Sequence, residues 1–239
     1  MRMSDVNWPV SVRPVLLGDA MLLAGQLTRE VVTHLTVALT KRERASLAVS
    51  GGSTPKAFFE LLSVAPLDWA RVDVTLVDER WVDQRAPDSN ERLVKQHLLQ
   101  NGAARANFVG LRQAGSLDSR GQGACESALG GMTWPLDVVV LGMGNDGHTA
   151  SFFPDAPELL EALGPDNPAK CIALTPASQP QRRVSLTFSA LRAASFVALH
   201  IKGDDKLETL KKAVGNLDDV RAMPVRAFFR QSISVFWSP

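Results

Sequence analysis

The chain lacks most of what would mark it for a membrane, a metal or a polynucleotide. It holds two cysteines, Cys125 and Cys171. They are far apart and outside any metal-ligating spacing, so they read as buried thiols of a reduced, cytosolic protein. There is no excess of charge: 26 basic against 25 acidic residues leave a formal +1, and the basic residues are scattered. That argues against a nucleic-acid surface or a polybasic membrane patch. No window approaches about 18 consecutive apolar residues. The opening MRMSDVNWPV has no apolar core of signal-peptide length. Repeats and low-complexity segments are missing too. The expectation is a soluble cytoplasmic protein with no nucleic-acid or membrane partner, whose function lies in local sites.

What is present is a globular composition, 45% apolar and 21% charged over 239 residues, which fits a single domain spanning 1–239. Apolar residues at helical spacing over Asp19–Leu39 predict a helix with Asp19 as N-cap. ASLAVS (Ala45–Ser50), VDVTLVDE (Val72–Glu79) and LDVVVLGMG (Leu136–Gly144) read as buried strands. Weaker strands are expected at CIALTP, RVSLTF and SFVALHI. Helices are expected at KAFFELL, Ser89–Gln100 and GDDKLETLKKAV. GPDNPAK (Gly164–Lys170) reads as a loop. Strands alternate with helices, and the best strands are continuously apolar. Both features predict an α/β fold with a mostly parallel central sheet and helices on both faces.

Such folds bind ligands beyond the carboxyl ends of their strands, and the three strong strands all exit into polar sequence. SGGSTP (Ser50–Pro55) combines glycines with hydroxyls and puts Thr54 and Pro55 at a helix start, Thr54 as cap and Pro55 first in the helix. Free amides and the Ser53 and Thr54 hydroxyls there suit a phosphate group; the plain alternative is a well-capped turn. This segment matches neither the P-loop pattern nor GxGxxG, so a phosphorylated small molecule suits it better than a nucleotide. DERWVDQRAPDSNERL begins with Asp78, Glu79 and Arg80, of which at least one points into the crevice. Arg80 is a candidate oxyanion or phosphate ligand. LGMGNDGHTASFFP (Leu141–Pro154) carries Asp146 two residues before His148 in a glycine-rich turn. An imidazole, with an unperturbed pKa of roughly 6.5, can accept and return a proton at neutral pH. His34, His97 and His200 fall in expected helix or strand segments and read as structural. RRVSLT and IKGDDK offer Arg183 and Lys206 as further phosphate partners, or as surface charges.

At these exits the sequence resembles the 6-phosphogluconolactonase family, within the wider group that includes glucosamine-6-phosphate isomerase/deaminase. SGGSTPKAFFELL, LVDERWVDQRAPDSNERLVKQHLL and DVVVLGMGNDGHTASFFP carry the resemblance. RRVSLTFSAL and IKGDDK match more loosely, and the C-terminal MPVRAFFRQSISVFWSP departs from the family at what is expected to be an edge of the fold. The resemblance implies a Rossmann-like domain that hydrolyses 6-phospho-D-glucono-1,5-lactone in the oxidative pentose phosphate pathway. It implies no metal and no cofactor, and a monomer. His148 would be the base that activates water, and Asp146 would orient it or bind sugar hydroxyls. Gly51, Gly52, Ser53 and Thr54 would hold the phosphate with Arg183 and Lys206. Arg80 would contact phosphate or oxyanion, and Asp78 and Gly144 would line the substrate site.

Two other readings are weighed beside it. Amino-sugar isomerases resemble this chain in the GxGxDGH turn, but they carry an acidic residue five positions after the histidine, where this chain has Phe153. They also carry a DEY-like motif at Asp78-Glu79-Arg80. A non-catalytic phosphosugar-binding module would keep the cradle and lose the acid/base group, whereas His148 is retained.

Overall fold

Seven strands form one all-parallel sheet in the computed structural model, which describes residues 6–239. These are β1 (Val12–Leu16), β2 (Ala45–Val49), β3 (Val72–Leu76), β5 (Asn107–Val109), β6 (Val138–Leu141), β9 (Phe196–Lys202) and β10 (Ile233–Ser238), in the order β1-β10-β9-β6-β2-β3-β5. A second, antiparallel sheet of three strands joins β4 (Asp78–Arg80), β8 (Arg183–Leu186) and β7 (Cys171–Leu174). Every residue of β2, β3 and β6 is buried. Their unbroken apolar runs reflect a sheet covered on both faces.

Among the described residues, eight α-helices connect the strands: α1 (Ala20–Lys41), α2 (Lys56–Ser63), α3 (Asn90–His97), α4 (Ser119–Leu129), α5 (Leu159–Ala162), α6 (Phe188–Arg192), α7 (Asp204–Val214) and α8 (Arg226–Phe229). α1 presents Leu23, Leu27, Val31 and Leu35 to the core at intervals of three to four. Asp19 caps it as expected, its carboxylate accepting from the Leu22 N–H at 2.8 Å. Both cysteines are free and buried. No described helix is long and apolar enough to cross a membrane.

Four expectations need correction. Val72–Glu79 is two strands, because the chain changes partners at Val77. The Val77 N–H bonds to Val49 O at 2.9 Å, while its own carbonyl accepts from Leu186 N at 2.8 Å. After that residue the backbone pairs with β8 instead of β2. CIALTP and RVSLTF likewise join the small sheet. The C-terminal segment is not an edge: β10 lies between β1 and β9, in parallel register with both. Finally, α2 begins at Lys56 with Pro55 as the flanking residue, and no side chain caps it. The Phe59 N–H reaches Pro55 O at 2.8 Å, so Thr54 lies one position further out than a cap.

Strand order decides where a ligand can go. From β2 the chain moves outward to β3 and β5, then returns to the other side of β2 with β6 and continues to β9 and β10. The direction of travel reverses between β2 and β6. Loops leaving two such strands diverge, and a crevice opens at their carboxyl ends.

Candidate active site

The crevice between the ends of β2 and β6 has two lobes that share Ser50, Gly51, Gly52, Gly142 and Met143. The first, about 200 Å³, is bordered by Ser53, Thr54, His200 and Lys206. The second, about 230 Å³, is bordered by Asp78, Arg80, Asn90, Gly144 and His148. The three polar exits therefore meet. All the candidate residues except Arg183 and Asp146 line one lobe or the other, and Asp146 lies directly behind His148.

Two glycines are required by what presses on them. A Cβ on Gly51 would sit 1.8 Å from Asn90 Oδ1, and one on Gly144 would sit 2.2 Å from the His148 ring and 2.6 Å from Asp146 Oδ1. The turn after β6 is thus folded tightly around its own histidine. The Gly144 N–H donates to the His148 carbonyl at 2.9 Å, closing the loop. Within it Asp146 Oδ1 lies 2.6 Å from His148 Nδ1 and accepts the His148 backbone N–H at 3.1 Å. Burial pushes the Asp146 carboxyl up, but its hydrogen bonds to His148 and the imidazolium charge outweigh that, and its pKa falls below the usual carboxylate value. An ionised carboxylate only accepts, so Nδ1 carries the proton and Nε2 is left as the basic nitrogen. Phe153 stacks on the imidazole at 4.1 Å. It occupies the place where the isomerase pattern has an acid.

Strand alternation sorts Asp78, Glu79 and Arg80. Residues 78 and 80 share one face of β4 and residue 79 takes the other. Asp78 and Arg80 line the His148 lobe. Asp78 accepts from Ser151 Oγ at 2.6 Å, tying the second exit to the third. Glu79 turns inward to the start of α3. Its two oxygens accept from the backbone N–H groups of Arg80, Asn90 and Glu91 and from Ser89 Oγ, all within 3.0 Å. Burial still raises its pKa against those hydrogen bonds. Its role is to anchor the Arg80–Ser89 loop, which Arg80 Nη1 closes on Asp88 O at 2.7 Å. Arg80 also borders Gly52 and Ser53 on the outer side of the crevice.

Lys206, near the start of α7, faces the first lobe and bonds Asn145 of the turn that holds His148. Arg183 does not join it. It pairs opposite Arg80 across the β4–β8 ladder, is 3% exposed, and lines neither lobe. Its guanidinium lies 5.8 Å from the centre of the Phe153 ring and bonds the Gln179 and Gln181 side chains. Burial, then the adjacent Arg80 charge, lowers its pKa. Arg183 thus backs Phe153, which backs His148.

Reading the sequence missed several members. Asn90, Ser151 and Asn145 brace the exits, and each sat in a quoted motif as an ordinary polar residue. His200, read as structural, lines the first lobe from β9, while His34 stacks on Phe196 and His97 bonds Glu60, as structural histidines do. Among the described residues no cluster of three or more His, Cys, Asp or Glu side chains is arranged to hold a metal ion.

A crevice at the switch point of a parallel sheet, lined by a glycine–hydroxyl turn, a lysine and an aspartate-held histidine, defines an α/β protein with a polar small-molecule site. Residues 18–237 match the family described as glucosamine-6-phosphate isomerases/6-phosphogluconolactonase, and the chain belongs to that family. Its relatives point to the lactonase branch. The chain is 42% identical to the 6-phosphogluconolactonase of Pseudomonas putida over 100% of its own length and 98% of that protein's. It is 46% identical to the Rhizobium meliloti 6-phosphogluconolactonase over 91% of this chain and 94% of that protein. A crystal structure of a 6-phosphogluconolactonase from Shewanella baltica superposes with a TM-score of 0.93 at 41% identity, covering 98% of this chain and 100% of that one.

Proposed function

We propose that this protein is a 6-phosphogluconolactonase that hydrolyses 6-phospho-D-glucono-1,5-lactone to 6-phospho-D-gluconate, with His148 as general base. One observation carries the role of His148: its Nδ1 is fixed 2.6 Å from Asp146 inside the lobe that adjoins the phosphate cradle. The substrate's phosphate lies in the first lobe against the amides and hydroxyls of Gly51–Thr54, with Lys206 as counter-charge. The lactone carbonyl then falls in the second lobe. Nε2 of His148 removes a proton from water as the water adds to that carbonyl, and Asp146 stabilises the imidazolium that forms. The tetrahedral oxyanion is met by amides of the 142–147 turn other than those of Gly142, Gly144 and Gly147, which are engaged within the fold. As the ester bond breaks, the imidazolium returns the proton to the departing ring oxygen, which leaves as the C5 hydroxyl of an open-chain acid.

Arg80 stands at the boundary of the two halves and adds positive charge toward both the phosphate and the oxyanion. Asp78, already accepting from Ser151, is placed to take a hydrogen bond from a sugar hydroxyl. Arg183 acts at one remove, as a positioning residue behind Phe153. The chain works as a single-domain monomer in the cytoplasm and needs no metal.

The test is to generate the lactone in situ, at a pH that slows its spontaneous opening, and compare wild type with His148→Ala. The expected result is strong acceleration by wild type and a loss of roughly 10²–10⁴-fold in kcat, with binding of 6-phosphogluconate retained. Binding without any acceleration by wild type would instead make the protein a phosphosugar-binding module.

A further inference from the structure

The turn that carries His148 is fastened to the body of the protein at both ends, and its tip is held differently. The Gly142 N–H donates to Ser50 Oγ at 3.2 Å, and Thr149 Oγ1 closes on the Gly142 carbonyl at 2.7 Å. On the far side the Gly147 carbonyl accepts from Val225 N at 3.0 Å, and Met223 fills the space where a Gly147 Cβ would lie. The tip is Asn145, an exposed residue between Gly144 and Asp146. Its hydrogen bonds run to α7: the side-chain oxygen accepts from Lys206 Nζ, and the carbonyl accepts from Thr209 Oγ1 at 3.3 Å.

Lys206 therefore faces two ways. It lines the first lobe and no part of the second, yet it holds the neighbour of Asp146, whose carboxylate fixes His148 Nδ1 at 2.6 Å. An ammonium has three donors, so Lys206 can keep Asn145 while it takes a phosphate oxygen. With the lobe empty, its other contact is the exposed Asp205 carboxylate at 3.9 Å, and such surface pairs are weak. Ser50 also touches both lobes, but its backbone is already fixed on Val140 O at 2.9 Å. Only the Lys206 link waits on a ligand.

Building on the lactonase reading, we propose that Asn145 is a positioning residue that couples the substrate's phosphate to the base. Phosphate in the first lobe fixes Lys206, Lys206 fixes Asn145, and the tip of the turn then holds Asp146 and His148 in reacting geometry. Interactions with a group remote from the reacting carbon thus go into orientation, and losing that group lowers kcat as well as affinity. The phosphate is recognised twice, by affinity in the first lobe and by rate in the second. A phosphorylated lactone is told from a plain sugar lactone by both.

The experiment uses the unphosphorylated D-glucono-1,5-lactone with inorganic phosphite as a loose dianion, each rate corrected for the reaction without protein. Phosphite should accelerate wild type saturably, by roughly tenfold or more. Asn145→Ala should bind phosphite with nearly unchanged affinity by calorimetry and lose most of that acceleration. On the phosphorylated lactone it should lower kcat by a similar factor and leave KM nearly unchanged. Asn145→Asp keeps an acceptor for Lys206 and should keep the acceleration at saturating phosphite. Asn145 is exposed, so these replacements do not threaten folding, and melting curves check them. Equal acceleration of wild type and Asn145→Ala would overturn the proposal. So would no acceleration of wild type, or a raised KM with kcat unchanged. Wild type inert toward the phosphorylated lactone itself would instead remove the lactonase reading, and this proposal with it.

Discussion

The two ends of β2, β3 and β6 are built by opposite rules. At the amino ends, buried carboxylates are closed off by partly exposed arginines. Asp73, fully buried in β3, accepts from Arg44 Nη2 at 2.8 Å, from Asn107 Nδ2 at 2.8 Å and from Thr133 N at 3.3 Å. Asp137, just before β6, pairs with Arg42 and accepts from Ser46 N at 2.8 Å. At the carboxyl ends, side chains are withheld and space is left. Gly51, Gly52, Gly142 and Gly144 open the crevice, and the polar groups there face one another across it. The first end joins neighbouring strands, and the second holds polar side chains in place without filling the volume between them. Stability and chemistry can be separated along one strand because its ends lie on opposite sides of the sheet.

The sharpest way to break this contrast is Asp73→Ala. It strands Asn107 Nδ2 and the Thr133 N–H and unpairs Arg44. Arg44 is one-third exposed and is resolvated, so the expected loss comes from the two stranded donors and is about 2–4 kcal/mol of unfolding free energy, with kcat of the surviving folded protein unchanged. Denaturant titration beside a rate assay checks both, and a large fall in kcat would show that the two ends are coupled.

A buried group at the opposite end makes the next prediction. The pKa of His200 is lowered to about 4 in the fold, against roughly 6.5 when unfolded. Between those values the unfolded chain binds a proton that the native state refuses. Stability attributable to this residue is therefore intact above about pH 6.5, falls as pH drops toward 4, and does not fall further below that. The full difference is up to about 3 kcal/mol. Unfolding curves from pH 7 to 4 for wild type and His200→Gln should diverge in that window, the variant having the shallower slope. Parallel slopes would mean that the imidazole is not held neutral.

The smallest effect tests the carboxyl end on its own terms. Asp146 is partly exposed and joins no other strand, so Asp146→Asn should leave the melting temperature within a degree or two. It should still lower kcat by roughly 10–100-fold, about 1.4–2.7 kcal/mol, because an amide at that point no longer fixes the Nδ1–H tautomer or stabilises imidazolium. A stability loss without a rate loss would assign Asp146 to the architecture instead.

Much of this was legible before folding. Continuous apolar runs predicted β2, β3 and β6, and a crevice at their polar exits followed from the parallel sheet they imply. Asp146 and His148 are two residues apart in one glycine-rich turn, so their contact is local. Asp78 and Arg80 follow a strand directly, and alternation alone puts them on one side and Glu79 on the other. These are short-range regularities, set by backbone geometry and by the burial of apolar side chains.

What the chain order could not disclose depended on which strands become neighbours. Arg183 and Lys206 look alike in sequence, each a basic residue near a strand end. Antiparallel pairing with β4 draws Arg183 behind Phe153, while α7 carries Lys206 to the cradle. His200 sits in an apolar strand and reads as core. It lines the first lobe of the crevice only because β9 pairs with β6, whose exit with that of β2 frames the crevice. Periodicity records whether a side chain is turned inward. Strand pairing is a sum of contacts between residues far apart in sequence, and it decides what each inward side chain meets.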